Sequence, residues 1–406
     1  MPEGTPRRPT LAFAEKLLVQ EPGAIYLARQ TSEKSGVSSI SDEYLKRCII
    51  ATSHTVASPG GMIVPYEGGY GILALMEKNW TGNKDLVASV LDAMAALQNT
   101  SGEVGSWDQQ YYPQKNQPPY YDPAGHRRQV DSGAALMAWA IADYDARNSS
   151  TTYKTYWRKA FNWLYSLRWE IEVGYELIKN QVINGVKENV AFTADMAEVI
   201  LAACRGFDAY GNDVTTDPDG IVVRDWIAKV VAGIDSYMWE PANYYYRTEY
   251  PSGAQSECRK DPDGNPIYIT FKQCVTFVQA LIAWAYKNWD TNYGSNHSVE
   301  IKKALDQIIA LNQGRWGGFI EHMEYMAYEY PAEYTHYAAL MRIAMNKVDS
   351  TRYARWISKT QSFLRQCALA DGQVMDQVFP DGRAIPSPWA RGPLMVTAAT
   401  AILAGA

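Results

Sequence analysis

Apolar residues recur at three- and four-residue spacing along nearly the whole chain, a period that belongs to helices with one face in a core and not to strands. Thirteen segments carry it: Leu11–Ala28, Tyr44–Val56, Tyr70–Asn79, Leu86–Leu97, Gly133–Tyr144, Tyr153–Leu167, Ala194–Phe207, Val222–Met238, Phe271–Trp289, Val299–Leu311, Tyr334–Met345, Tyr353–Leu369 and Gly392–Leu403. Almost no run alternates with a period of two, so the expected class is all-α. Several helices end in a Gly/Trp or Asp-Gly turn, as in LQNTSGEVGSW (Leu97–Trp107), LNQGRWGGF (Leu311–Phe319) and CALADGQVMDQVFPDGR (Cys367–Arg383). Helix pairs joined by such turns, returning at roughly fifty to seventy residues, suggest stacked helical hairpins. Six of them account for the 406 residues. The expectation is one domain, 1–406, closed into an (α/α)6 toroid with a cleft at one mouth. An open solenoid fits less well, because the loops are irregular and no strict repeat is present.

Two long segments interrupt the helical period. Ser106–Gln129 (SWDQQYYPQKNQPPYYDPAGHRRQ) holds four Tyr, one Trp, four Pro and a basic cluster, and Glu240–Tyr268 has the same character. Loops of this length in a compact domain are usually functional or disordered, and aromatic content argues against disorder. The chain has 28 Tyr and 13 Trp against 9 Phe. A core surplus would favour Phe, whereas a flat face with a polar edge suits amphipathic ligands such as sugars. Trp107, Tyr111, Tyr112, Tyr120 and Tyr121 are therefore expected at the rim of the cleft, with Trp316 and Trp389 in the GRWGGF and SPWAR turns as further platforms. His126, Arg127 and Arg128 could hold a carboxylated sugar through paired hydrogen bonds; a solvated turn, or pairing with Asp122, explains them equally.

The net charge of -6 and the absence of a long basic run exclude a nucleic-acid binder of the usual kind. Cys48, Cys204, Cys258, Cys274 and Cys367 are far apart, and with five His that do not cluster they point to no zinc site. No cofactor or catalytic metal is expected, although Asp261 and Asp263 could hold a structural Ca²⁺. The segment after Met1 is polar, and no stretch is apolar enough for a membrane helix, so a soluble chain with no membrane partner is expected. Asn79, Asn99, Asn148 and Asn296 each open an N-glycosylation triplet, which leaves localisation open.

Two acids stand where the helical pattern begins beside glycine: Glu67 in VPYEGGYGILALMEKNW and Asp131 in HRRQVDSGAALMAWAIADYD. Each reads as a helix-capping acid. As a pair they read differently, since inner-helix starts of a toroid converge on one mouth and two convergent carboxylates are the minimum equipment for glycoside hydrolysis. YEGGYGILAL resembles the SEGxGYGMLLA segment of glycoside hydrolase family 8, through Glu67, Gly68, Tyr70, Gly71 and Leu73. VDSGAALMAWAIA is similar to that family's TDADLDIAYAL motif, with Asp131 at the first Asp but Gly133 and Ala135 at the second and third acids. The resemblance implies an inverting (α/α)6 enzyme on β-1,4-linked polysaccharide, with Glu67 as general acid, Asp131 activating or positioning water, and Tyr70 near the substrate. Other six-hairpin sugar enzymes, unsaturated glucuronyl hydrolases and family 9 cellulases among them, also set acids at inner-helix starts.

Asp195, at the start of NVAFTADMAEVI, and Asp122 compete for the base role. EYPAEYTHYAALMRIA gathers Glu333, Tyr334, His336 and Tyr337 around one turn, and a Tyr/His pair would suit a polysaccharide lyase. Gly-x-Trp turns also occur in isoprenoid cyclases, but the acid-rich initiating motif those enzymes need is missing. A carbohydrate-binding or surface protein, in which both acids only cap helices, is the non-enzymatic alternative.

Overall fold

Ten of the thirteen segments that follow the helical period are helices among the described residues, at nearly the bounds the period gives. The computed structural model describes residues 25–26, 65–99, 104–107, 128–183, 185–216, 220–251, 256–260, 266–269, 276–320, 332–367, 375, 377–378, 383–385, 400–401 and 403–405. Ten helices lie among them: α1 (Pro65–Lys78), α2 (Trp80–Leu97), α3 (Asp131–Asn148), α4 (Lys154–Ser166), α5 (Thr193–Tyr210), α6 (Val223–Tyr237), α7 (Thr276–Tyr293), α8 (Ser298–Asn312), α9 (Thr335–Asp349) and α10 (Ala354–Cys367). Two compact units account for the chain: Leu45–Lys272 with Ala285–His297, and Met1–Tyr44 with Gln273–Trp284 and Ser298–Ala406.

In the unit that holds α1 to α6, two kinds of helix alternate. Every residue of α3 from Asp131 to Asp145 is buried, and α1 is enclosed from Gly68 to Met76. Nearly all of α5 up to Phe207 is buried as well. The intervening helices carry stripes, such as Trp157, Ala160, Phe161 and Leu164 on α4 and Val223, Trp226, Ile227, Val230 and Ile234 on α6. A helix that is apolar all round must lie inside, whereas a striped one has a wet face. Accordingly α3 packs on α1, α4 and α5. Its contact with α1 is close: a Cβ on Gly69 would stand 2.7 Å from Leu136 Cβ, and one on Gly133 3.3 Å from Pro65 Cβ. These glycines bring the starts of α1 and α3 side by side.

Fifteen strands of two to five residues lie among the described residues, where almost no strand was expected. Such short segments are too brief to show a period of two, and some find their partners far along the chain. Arg128–Val130 pairs antiparallel with Gln181–Ile183, and Ala191–Phe192 with Glu249–Tyr250, so each fixes the start of an inner helix. In the other unit, Ile25–Tyr26, Arg383–Ile385, Gln377–Val378 and Glu333–Tyr334 form a four-stranded antiparallel sheet in that order. Of the helix expected over Leu11–Ala28 only Ile25–Tyr26 is described, and it is a strand. Tyr44–Val56 lies outside the described residues, and of Gly392–Leu403 only 400, 401 and 403 are described, as helix.

One polar cluster ties α6 to the end of α7. Asp290 Oδ1 lies 2.5 Å from His297 Nδ1, Asp235 Oδ2 lies 3.0 Å from Nε2, and Tyr286 donates to Asp235 at 2.8 Å with its ring against the imidazole. Burial alone would push His297 down, but the hydrogen bonds and charges of Asp235 and Asp290 outweigh it and raise the imidazole to about 9. A pKa raised by folding contributes stability that is complete below the unfolded value of about 6.5 and is lost as pH rises through the folded one. Urea unfolding midpoints of the parent should therefore fall between pH 6.5 and 9 relative to those of His297→Gln. Parallel pH profiles for the two proteins would show that the imidazolium makes no such contribution.

Candidate active site

Neither acid at the start of α3 or α5 caps its helix. The N-caps are Val130 and Phe192, with extended backbones and no side-chain cap bond. Asp131 is the first residue of α3, where its Oδ1 accepts the Ser132 N–H at 2.8 Å, and Asp195 is the third residue of α5. The segment between them joins the two helix starts. Asn180 accepts the Asp131 N–H at 2.9 Å and donates its own N–H to Val190 at 2.8 Å, and Thr193 N–H is held by Thr248 at 3.0 Å. The Asn180 side chain then reaches both carboxyls, donating at 2.5 Å to Asp195 Oδ2 and at 3.4 Å to Asp131 Oδ1.

The two carboxyl groups are close enough to share a hydrogen bond. Burial holds the Asp131 carboxyl well above the usual carboxylate range, and the Asp195 charge and the shared hydrogen bond push it further, against the pull of the Ser132 N–H. Asp131 is completely buried and Asp195 only partly so. Asp131 Oδ2 is buried and accepts no hydrogen bond from a donor among the described residues. One of the two carboxyls is hidden and the other partly exposed, and like charges so placed disfavour ionising both.

Below the pair, Tyr70 donates to Glu198 Oε1 at 2.8 Å. Tyr66 stands beside both, its ring 5.3 Å from that of Tyr70. Burial, the Asp195 charge and then the two tyrosine hydroxyls act on Glu198; the first two win and raise its pKa well above the usual range. Burial and the charge of Glu198 raise both tyrosines in turn.

The sequence candidates fare unequally. Glu67 stands inside α1, two residues after the Pro that opens the helix, and not in a turn before it; Pro suits a first helical position because it needs no N–H partner there. The glycines that follow it serve the contact with α3. Tyr70 is fully buried as the partner of Glu198, so it holds an acid and is no open sugar platform. Trp107 is buried too, and its indole N–H donates to Met94 at 2.7 Å: it closes the core beneath α2 and does not stand at a rim. Trp316 lies in the other unit, partly exposed with Arg315 over its ring, in a turn whose Trp316 and Gly318 N–H groups are held by the buried Glu333 at 2.9 and 2.7 Å. Glu333 is therefore a clamp on that turn. Tyr111, Tyr112, Tyr120, Tyr121, Asp122, His126, Arg127, Asp261, Asp263 and Trp389 lie outside the described residues. Among those described, no three His, Cys, Asp or Glu side chains are arranged to hold a metal ion, and no helix is long and apolar enough to cross a membrane.

Asn180, Tyr66 and Glu198 were not foreseen. Asn180 gives no signal, but Glu198 does: it is an acid between Met196, Ala197, Val199 and Ile200, on a helix with no wet face to receive it.

No protein-family model matches the chain, and no curated protein matches its sequence. Solved structures do. A family 76 glycoside hydrolase from a bovine Bacteroides thetaiotaomicron strain matches with a TM-score of 0.57 and 11% identity, over 91% of this chain and 78% of its own. A D-mannose isomerase matches with a TM-score of 0.59 and 12% identity, over 90% and 96%. A family 88 glycosyl hydrolase from Bacteroides vulgatus matches with a TM-score of 0.51 and 13% identity, over 90% and 98%. The likeness shows the fold: all-α, of the (α/α)6 toroid class. It does not single out family 8.

Removing the Tyr70 hydroxyl tests the buried half of this arrangement. Tyr70→Phe leaves Glu198 Oε1 without its donor and should lower the unfolding free energy by about 1–3 kcal/mol, read from urea denaturation at neutral pH. An unchanged midpoint would mean that the hydrogen bond contributes nothing.

Proposed function

We propose that the chain is a carbohydrate-active enzyme, a glycoside hydrolase on an oligo- or polysaccharide, in which the Asp131–Asp195 pair takes the proton of the attacking water. The observation that carries this reading is the carboxyl pair bridged by the Asn180 amide, set at the starts of two buried helices in a fold whose structural neighbours act on sugars. Asp195, the accessible member, is the group that meets the substrate, and Asp131 holds the proton behind it. The glycosidic C–O bond breaks as a protonated Glu67 gives its proton to the leaving oxygen. Water bonds to the sugar carbon and gives its proton to Asp195.

Carboxyls in hydrogen-bond contact are closer than the roughly 5–5.5 Å of a retaining pair or the roughly 6.5–9.5 Å of an inverting one. They act here as one unit, so a separate carboxylate must face them across the sugar. Glu67 is our candidate, since the neighbouring Pro65 and Tyr66 lie against Gly133 at the start of α3. Tyr111, Tyr112, Tyr120, Tyr121, His126, Arg127, Trp316 and Trp389 remain the proposed sugar contacts.

A lyase is the second reading, favoured by His336. Burial lowers its imidazole to about 4, which keeps it neutral as a base must be, and the Tyr337 ring lies 5.6 Å away. The two readings leave different products, because elimination creates a double bond that absorbs in the ultraviolet and hydrolysis does not.

A panel of α- and β-linked glycans, xylan, chitosan and uronic-acid polymers, followed by reducing-sugar release and ultraviolet absorbance, tests the proposal. Asp195→Asn and Glu67→Gln should each lose about 10²–10⁴ in rate with melting temperatures near that of the parent. Asp131→Asn should lose rate and shift the pH profile. Parent-like hydrolysis by Asp195→Asn would overturn the assignment of the pair. Absorbing products lost in His336→Ala would turn the reading to a lyase, and binding without turnover would turn it to a carbohydrate-binding protein.

A further inference from the structure

Glu198 takes no part in the proton transfers above, yet it stands directly beneath them. It is one turn on from Asp195 along α5, on the same face, and only 1% exposed. Its Oε1 takes the Tyr70 hydroxyl, while its Oε2 is buried with no hydrogen-bond partner among the described residues. The groups that face it are the hydroxyls of Tyr66 and Tyr70 from α1, Asp195 from its own helix and Asp131 from α3. No cation is among these groups. A carboxylate here would be a buried charge against the charge of Asp195, with only the two tyrosine hydroxyls in return, which is a costly state.

We infer that Glu198 is a positioning residue: it stays a neutral carboxylic acid, forms with Tyr66 and Tyr70 an uncharged floor under the pair, and so confines the one negative charge of the three acids to Asp195. Asp195 is the member suited to carry it, being partly exposed and held by the Asn180 amide at 2.5 Å. The orientation of the pair's proton, on Asp131 and toward Asp195, follows from that choice. Ionising Glu198 would push the charge off Asp195 and spoil the base. The inference rests on the proposed catalytic role of the pair, but the proton on Glu198 is observable without a substrate.

Infrared spectra at pH 7 separate protonated carboxyl C=O bands from carboxylate bands. The parent minus Glu198→Gln difference should contain one protonated-carboxyl band, and that band should move in Tyr70→Phe, where its hydrogen bond is lost. A difference spectrum with only carboxylate bands would overturn the inference whatever the enzyme does. On the substrate that the glycan panel identifies, Glu198→Gln mimics the neutral acid: it should keep the rate within about three-fold and extend activity to higher pH. Glu198→Ala should lose at least ten-fold. A structural role alone would leave the alkaline limb of Glu198→Gln where the parent has it, and that result would also overturn the inference. If the panel yields no turnover, the hydrolase reading fails while the infrared result still decides the state of Glu198.

Discussion

Carboxyl groups brought together out of water repel one another and lose hydration, and a fold that buries them must keep some of them protonated. Around the starts of α3 and α5 that constraint sets the state of every polar group. Asp131 and Glu198 are enclosed, and Asp195 is partly exposed. Neutral donors, the Asn180 amide and two tyrosine hydroxyls, do the work that an arginine would do in an ion pair. They orient the acids without drawing their protons off. An arginine in place of Asn180 would give a quiet salt bridge, with the carboxyls ionised and Asp195 a weaker base.

The scaffold that supports this is indifferent to chemistry. A hydrolase of family 76, one of family 88 and an isomerase of mannose all share it at 11–13% identity, so the helices specify where residues can converge and not what they do there. What the fold supplies is a set of buried helices whose starts are backed by wet outer ones. The close contact at Gly69 and Gly133 narrows the gap between two of those starts until side chains of ordinary length can meet.

How far the sequence discloses this depends on the range of the interaction. Helices α1 to α10 are written in a local period, and the bounds read from it differ from those observed by a few residues. The strands escape because two to five residues carry no usable alternation, and the pairs that fix the starts of α3 and α5 are long-range. Asp131 and Glu67 were visible as acids at helix starts, but a capping acid and a catalytic one look alike in a local window. Asp195 became distinct from a cap only through Asn180, whose position follows from the pairing of Arg128–Val130 with Gln181–Ile183. Trp107 misled for a related reason: a Trp in a Gly-rich turn can face either way, and here the Met94 carbonyl drew its indole inward.

Asn180 divides its labour between backbone and side chain. Its main-chain N–H and C=O knit the approaches to the two helices together, and only its amide touches the acids. Any residue except proline could keep the knitting. A lineage descended from this chain could therefore exchange the amide for another group and retune the acids in one step while inheriting the architecture whole. In such a site, new chemistry is one substitution away from old stability.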